Sequence, residues 1–194
     1  MALCFLVPAE AHAQSERLEA PFGDTVSERV PFYHRAAPTI ATAGPLGRLG
    51  IIEAKAVGFK SILNLGRSTT TAGLDDASMA SYVLLRYFSV PVTETLPTQD
   101  QIGEIRHILD ATDNGPVLMY GVDRDQAAAA WALSRAASGV PAEIALQDGL
   151  TAGLRNRLPA VRERLGLGNA ATRWHGIRGS SIKLDGAFEQ LRRL

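Results

Sequence analysis

The feature that most constrains this chain is a change of hydrophobic period along its length. Short apolar or β-branched runs at residues 38–42, 59–65, 87–92 and 116–120 alternate with longer segments whose apolar residues recur at helical spacing. Turn signals separate them: Gly44-Pro45, Gly58, Gly66 and Asn114-Gly115. Strands separated by helices cannot pair as simple hairpins; they need crossovers, which favour parallel pairing and cover the sheet on both sides. The expected fold class is therefore α/β, a central mainly parallel sheet with helices on both faces.

Individual helices follow from spacing and caps. Residues 46–57 carry Leu49, Ile52 and Ala56 as an apolar stripe, and residues 75–85 form a second helix. Thr98 and Gln101 have capping-box spacing ahead of a face built from Ile102, Ile105, Ile108 and Leu109. An alanine-rich helix is expected over 126–137, then helices over 141–154 and 158–165. Beyond Gly166 the periodicity weakens, with a short helical pattern over 184–194.

At 194 residues the chain suits one compact domain. Twenty Lys and Arg against twenty Asp and Glu, a net charge of +0, exclude a nucleic-acid partner recruited by bulk charge. No run is long enough to be an integral membrane segment of a mature chain. The single cysteine, Cys4, has no disulfide partner, and His12, His34, His107 and His175 are scattered, so neither metal nor cofactor is expected. Residues 1–13 read as a truncated signal peptide, an apolar run ending in Ala11-His12-Ala13, although no Lys or Arg precedes Arg17. Export to the periplasm or secretion follows from that reading, and a cytoplasmic location without it. Residues 14–31 read as an irregular lead-in, 32–166 as the domain, and 167–194 as a flexible tail.

The junction from 117 to 133 is a strand, a tight loop and a helix N-terminus, a geometry that aims backbone N–H groups at one spot and suits an anion. Val117-Leu118-Met119-Tyr120, then Ala129-Ala130-Trp131-Ala132-Leu133-Ser134-Arg135 and Gly139-Val140-Pro141-Ala142-Glu143, resemble the segment bearing the His-Cys-x-x-x-x-x-Arg loop in the protein-tyrosine-phosphatase-like family of small bacterial proteins, the β-lactamase-hydrolase-associated phosphatase/sulfur-transferase-like domain. Residues 40–45, 57–65 and 87–92 are similar to that family in the same order, so the resemblance spans roughly residues 33 to 154. It implies a tyrosine-phosphatase-like fold and, registered on residues 116–118 and 131–133, puts Tyr120 at the family's histidine, Gly121 at its nucleophilic cysteine and Gln126 at its arginine; only four residues separate 121 from 126 where the quoted loop has five, and a strict count from Gly121 reaches Ala127, which is no cation either.

On that register the loop Tyr120, Gly121, Val122, Asp123, Arg124, Asp125 and Gln126 is degenerate. Gly121 offers nothing to attack phosphorus with, and a neutral Gln126 cannot supply a charged fork for two phosphate oxygens. Asp123 or Asp125 facing an anion at ~4 Å would cost on the order of 4 kcal/mol at an effective dielectric of 20, with Arg124 offsetting one of them. The resemblance places Glu94 near the family's general acid, while Arg67, Arg124 and Gln126 are the candidate anion contacts. The expected protein is a pseudophosphatase that binds an unknown protein or a small anionic ligand. Three alternatives remain: an active phosphatase or sulfur transferase of the same superfamily, an aspartate-dependent phosphatase using Asp123 in an Asp-x-Asp loop, and a structural domain with a vestigial pocket whose function lies on the Arg-rich C-terminal surface. His34-Arg35 reads as an exposed basic pair, Trp131 as a packing anchor, and Arg155, Arg157, Arg162 and Arg164 as a solvated helical face.

Overall fold

The computed structural model describes residues 26–66 and 76–168. Its elements, in chain order, are β1 (His34–Ala37), β2 (Ile40–Ala43), α1 (Arg48–Ala56), β3 (Ser61–Asn64), α2 (Asp76–Tyr82), β4 (Arg86–Ser89), α3 (Gln99–Asp110), β5 (Val117–Tyr120), α4 (Arg124–Ala137), α5 (Ala142–Thr151) and α6 (Leu158–Arg164). The expected signal peptide, Cys4, Arg67 and the terminal helix over 184–194 lie outside the described residues.

The strand order is β1-β2-β5-β3-β4. β2, β5, β3 and β4 pair in parallel, and β1 closes one edge antiparallel to β2. Side chains alternate across the sheet, as the two-residue strand period requires. Leu63, Val117 and Met119 pack toward α3, α4, α5 and α6. Ile62, Leu118 and Tyr120 pack toward α1 and α2. The sheet is thus mixed but mostly parallel, with helices on both faces.

The capping box forms: Thr98 Oγ1 accepts from the Gln101 N–H, and Gln101 Oε1 accepts from the Thr98 N–H at 2.9 Å. Ile102, Ile105 and Ile108 are buried as their spacing predicts. Every residue of α4 from Asp125 to Ser134 is buried. The alanines at 127–130 and 132 let the sheet, α3, α5 and α6 close around the helix; a Cβ on Gly149 of α5 would already lie 2.8 Å from the Ala132 Cβ.

Several sequence expectations are corrected. The single strand over 38–42 is a hairpin, β1 and β2, with Pro38 and Thr39 at its turn, where a fixed φ and a missing N–H suit proline. The stripe Leu49, Ile52 and Ala56 faces outward; α1 buries Gly50, Ile51 and Ala54 instead. Packing also begins upstream of residue 32: Val30 is buried, and Arg29 pairs with Glu53 of α1 at 3.7 Å. Gly50 permits this approach, since a Cβ there would sit 2.5 Å from the Arg29 carbonyl. His34 lies half-buried on β1 rather than in an exposed basic pair.

Burial pushes the His34 imidazole below its ordinary value. The unfolded chain therefore binds the proton more tightly, and stability contributed by neutral His34 is lost as pH falls through the ordinary histidine range. Denaturant midpoints between about pH 7.5 and 5.5 should fall more steeply for the wild type than for His34→Gln; equal slopes would refute the assignment.

Candidate functional site

β5 is the middle strand, and its C-terminal end runs through Gly121 and Val122 to Asp123, the N-cap of α4. Helix α4 starts at Arg124, so Arg124, Asp125 and Gln126 form its first turn and not the loop expected up to residue 125. The cap explains the difference. Asp123 has extended backbone, and its Oδ1 accepts the Gln126 N–H at 2.7 Å, satisfying one of the orphan donors of the first turn.

The Gln126 side chain turns back into the loop and is buried. Its Oε1 accepts the Val122 N–H at 3.0 Å, and its Nε2 donates to the Val92 carbonyl at 3.0 Å. The amide lies against Gly121: a Cβ at that position would be 2.5 Å from Oε1 and 3.1 Å from the Gln126 Cβ. Gly121 and Gln126, which the sequence resemblance registers on the family's cysteine and arginine, are therefore adjacent, and the glutamine amide fills the space a larger residue at 121 would need.

The two carboxylates are held at the rim of the loop by hydrogen bonds. Asp125 is buried, and it accepts from the backbone N–H groups of Arg155 and of Arg157, the latter at 2.8 Å. The Arg157 guanidinium reaches both acids, Asp123 Oδ1 at 2.8 Å and Asp125 Oδ2 at 3.2 Å, while its Nε donates to the Thr95 carbonyl. Arg157, not Arg124, offsets the acidic loop. The expectation of a solvated face over Arg155, Arg157, Arg162 and Arg164 fails for Arg157; Arg155 and Arg164 are exposed, Arg164 donating to the Pro97 carbonyl, and the half-buried Arg162 donates to the carbonyls of Leu167 and Gly168. No local pattern signals the Arg157 clasp, because its carboxylate partners lie 34 and 32 positions away.

Arg124 extends to the outer rim, its guanidinium carbon 5.0 Å above the Phe32 ring. Phe32 is exposed and sits at φ 55, against Gly44, whose missing side chain leaves room for the ring. Tyr120 points to the α1–α2 side and donates to Asp76 Oδ2 at 2.8 Å. Burial and then the Asp76 bond push its phenol far above the ordinary value, so it is a fixed donor. Asn64 extends this network, donating to the Tyr87 hydroxyl at 3.1 Å and accepting the Gly66 N–H at 2.8 Å. Sequence reading missed Asp76 and Tyr87, which only the sheet brings together. Glu94 is exposed on the segment after β4, beside an open cavity of about 520 Å³ lined by Thr93, Glu94, Thr95, Leu96, Ala160 and Arg164. Trp131 is buried, as a packing anchor should be.

Residues 121–126 contain no thiol, hydroxyl or imidazole. Of the two carboxylates, Asp123 has its Oδ1 engaged by two donors and Asp125 is enclosed by three. Among the described residues no three His, Cys, Asp or Glu side chains converge as metal ligands, and no helix is long and apolar enough to cross a membrane.

No protein-family model matches the chain, and no curated protein does. Solved structures do match in fold. The DUF442 protein of Shewanella putrefaciens CN-32 is 16% identical, with a TM-score of 0.58, covering 75% of this chain and 98% of its own. The core catalytic domain of the PP-IP phosphatase SIW14 from S. cerevisiae, in complex with citrate, is 10% identical, with a TM-score of 0.57 over 77% of this chain and 95% of its own. P. aeruginosa TpbA in complex with pTyr is 16% identical, with a TM-score of 0.52 over 74% and 95%. The fold is therefore tyrosine-phosphatase-like.

Two stability measurements test this geometry. Arg157→Ala should destabilise the protein by about 3 kcal/mol in urea unfolding, because it strips a buried carboxylate of its cation; a loss under about 1 kcal/mol would show the clasp to be a surface pair. Gly121→Ala should cost about 1–3 kcal/mol by overpacking. Combined with Gln126→Ala, which vacates the space, the total should fall well short of the sum of the single changes; strict additivity would refute the contact.

Proposed function

We propose that this tyrosine-phosphatase-like domain is a pseudophosphatase, a binding or scaffold protein without phosphoryl-transfer chemistry. The observation that carries the reading is the Gln126 amide packed against Gly121. Phosphoester hydrolysis through a covalent intermediate needs a nucleophile at the floor of the loop and fixed positive charge for the transferring group. Here the floor is a glycine, and the residue aligned with the cation is a neutral amide already bonded to Val122 and Val92. The Val122 N–H, one of the loop donors that would otherwise meet an oxyanion, is taken by Oε1. A partner protein fits this closed loop better than a free anion. An exported setting, resting on residues 1–13, belongs to the same proposal, and N-terminal sequencing of the mature chain would test it.

The test pairs turnover with binding. Aryl phosphate and phosphotyrosine should give no hydrolysis above the uncatalysed background, with or without magnesium. Phosphate and sulfate should leave the thermal midpoint unchanged, because a ligand that does not bind the native state cannot shift it. Metal-independent turnover would overturn the proposal, and magnesium-dependent turnover abolished by Asp123→Asn would replace it with the aspartate mechanism. Gly121→Cys combined with Gln126→Arg should remain far less active than an intact cysteine phosphatase, since Arg157 and its two carboxylates still occupy the rim.

A further inference from the structure

Helix α1 is apolar on two faces, and the described residues cover only one. Gly50, Ile51 and Ala54 face the core, while Leu49 and Ile52, three residues apart, stand 58% and 42% exposed. An amphipathic surface helix places polar residues on its outer side, so a second apolar stripe calls for a partner. The feature continues beyond α1. Tyr82 at the end of α2 is 82% exposed, and Leu84 in the following turn is 81% exposed at φ 60, a left-handed conformation that costs a leucine more than a glycine. Lys55 donates to the Leu84 carbonyl and ties that turn to the end of α1. Of the seven large apolar side chains exposed among the described residues, four gather here. Between them runs a groove of about 490 Å³ lined by Arg48, Leu49, Ile52, Met79 and Tyr82.

Among the described residues, the charged side chain lining the groove is a cation, Arg48. Arg48 opens α1 and Lys55 stands in its last turn. The single acid of α1, Glu53, is engaged by Arg29 and by the Ser27 N–H. Asp76, the acid of α2, accepts from Tyr120. An apolar floor flanked by two cations, with Glu53 ion-paired to Arg29 and Asp76 turned to the Tyr120 hydroxyl, is complementary to apolar residues flanked by carboxylates. The floor lies between two helices and offers no open strand edge, which suits a helix laid into a groove and not an added strand.

From this we infer that the α1–α2 groove docks an acidic amphipathic helix of a partner protein, its apolar residues on Leu49, Ile52 and Tyr82 and its carboxylates facing Arg48 and Lys55. The site lies on the α1–α2 face, whereas the Gln126 loop packs toward α4. The inference therefore stands whether or not the loop is inactive.

Fluorescence anisotropy on the full chain tests it with two labelled synthetic peptides of about four helical turns, both with leucine along one face, one carrying Glu and the other Lys elsewhere. The acidic peptide should bind at least about tenfold more tightly than the basic one, with the preference shrinking in high salt. Ile52→Glu and Arg48→Glu should each weaken it by about tenfold or more. Ile144→Glu, at an exposed apolar position on α5, should leave it unchanged, with thermal melts confirming that all three variants fold. No binding, equal binding of both peptides, or indifference to Ile52→Glu would overturn the proposal. So would a concentration-dependent dimer in sedimentation that Ile52→Glu disperses, which would make the occupant a second copy of this chain.

Discussion

The packing of the Gln126 amide into the space left open by Gly121 governs how the middle of this molecule is organised. A parallel strand that turns directly into a helix leaves backbone donors converging at the junction, and something must accept from them. Here the chain supplies its own acceptors, Gln126 Oε1 for the Val122 N–H and Asp123 Oδ1 for the Gln126 N–H. The same glutamine reaches the Val92 carbonyl, so the segment after β4 is fastened to the loop without any ligand. Glycine at 121 and glutamine at 126 are thus one steric solution, each making sense only with the other.

Charge balance at the rim rests on a second long-range contact. An aspartate as buried as Asp125 is costly unless it is paired and fully hydrogen-bonded. Two backbone N–H groups and the Arg157 guanidinium meet that need, and the same guanidinium shares itself with Asp123 and holds the Thr95 carbonyl. The connection between α5 and α6 is therefore part of the loop's electrostatics. α4 can carry two acids near its positive end because one cation from elsewhere in the fold compensates both.

The two faces of the sheet are finished differently. On one side α4 is enclosed by α3, α5 and α6, and alanine keeps the helices close. On the other, α1 and α2 cover the strands with one side only and present leucine, isoleucine and tyrosine outward. The sheet is thus enclosed on its α4 side and carries exposed apolar side chains on its α1–α2 side.

Local sequence determined what local physics controls. Alternating periods announced the parallel sheet, the Thr98–Gln101 spacing announced the start of α3, and the absence of any thiol or hydroxyl between residues 121 and 126 was legible without coordinates. Tertiary structure alone decided which apolar stripe of α1 is buried, because both Leu49/Ile52 and Ile51/Ala54 are apolar and only the position of the sheet selects the smaller Ile51/Ala54 pair. It alone decided that Asp123 and Asp125 turn toward Arg157, since ion pairs between residues more than thirty positions apart leave no periodic trace. Covalent neighbours set propensity and caps; which buried amide fills which gap is settled only when strands and helices far apart in the chain are pressed together.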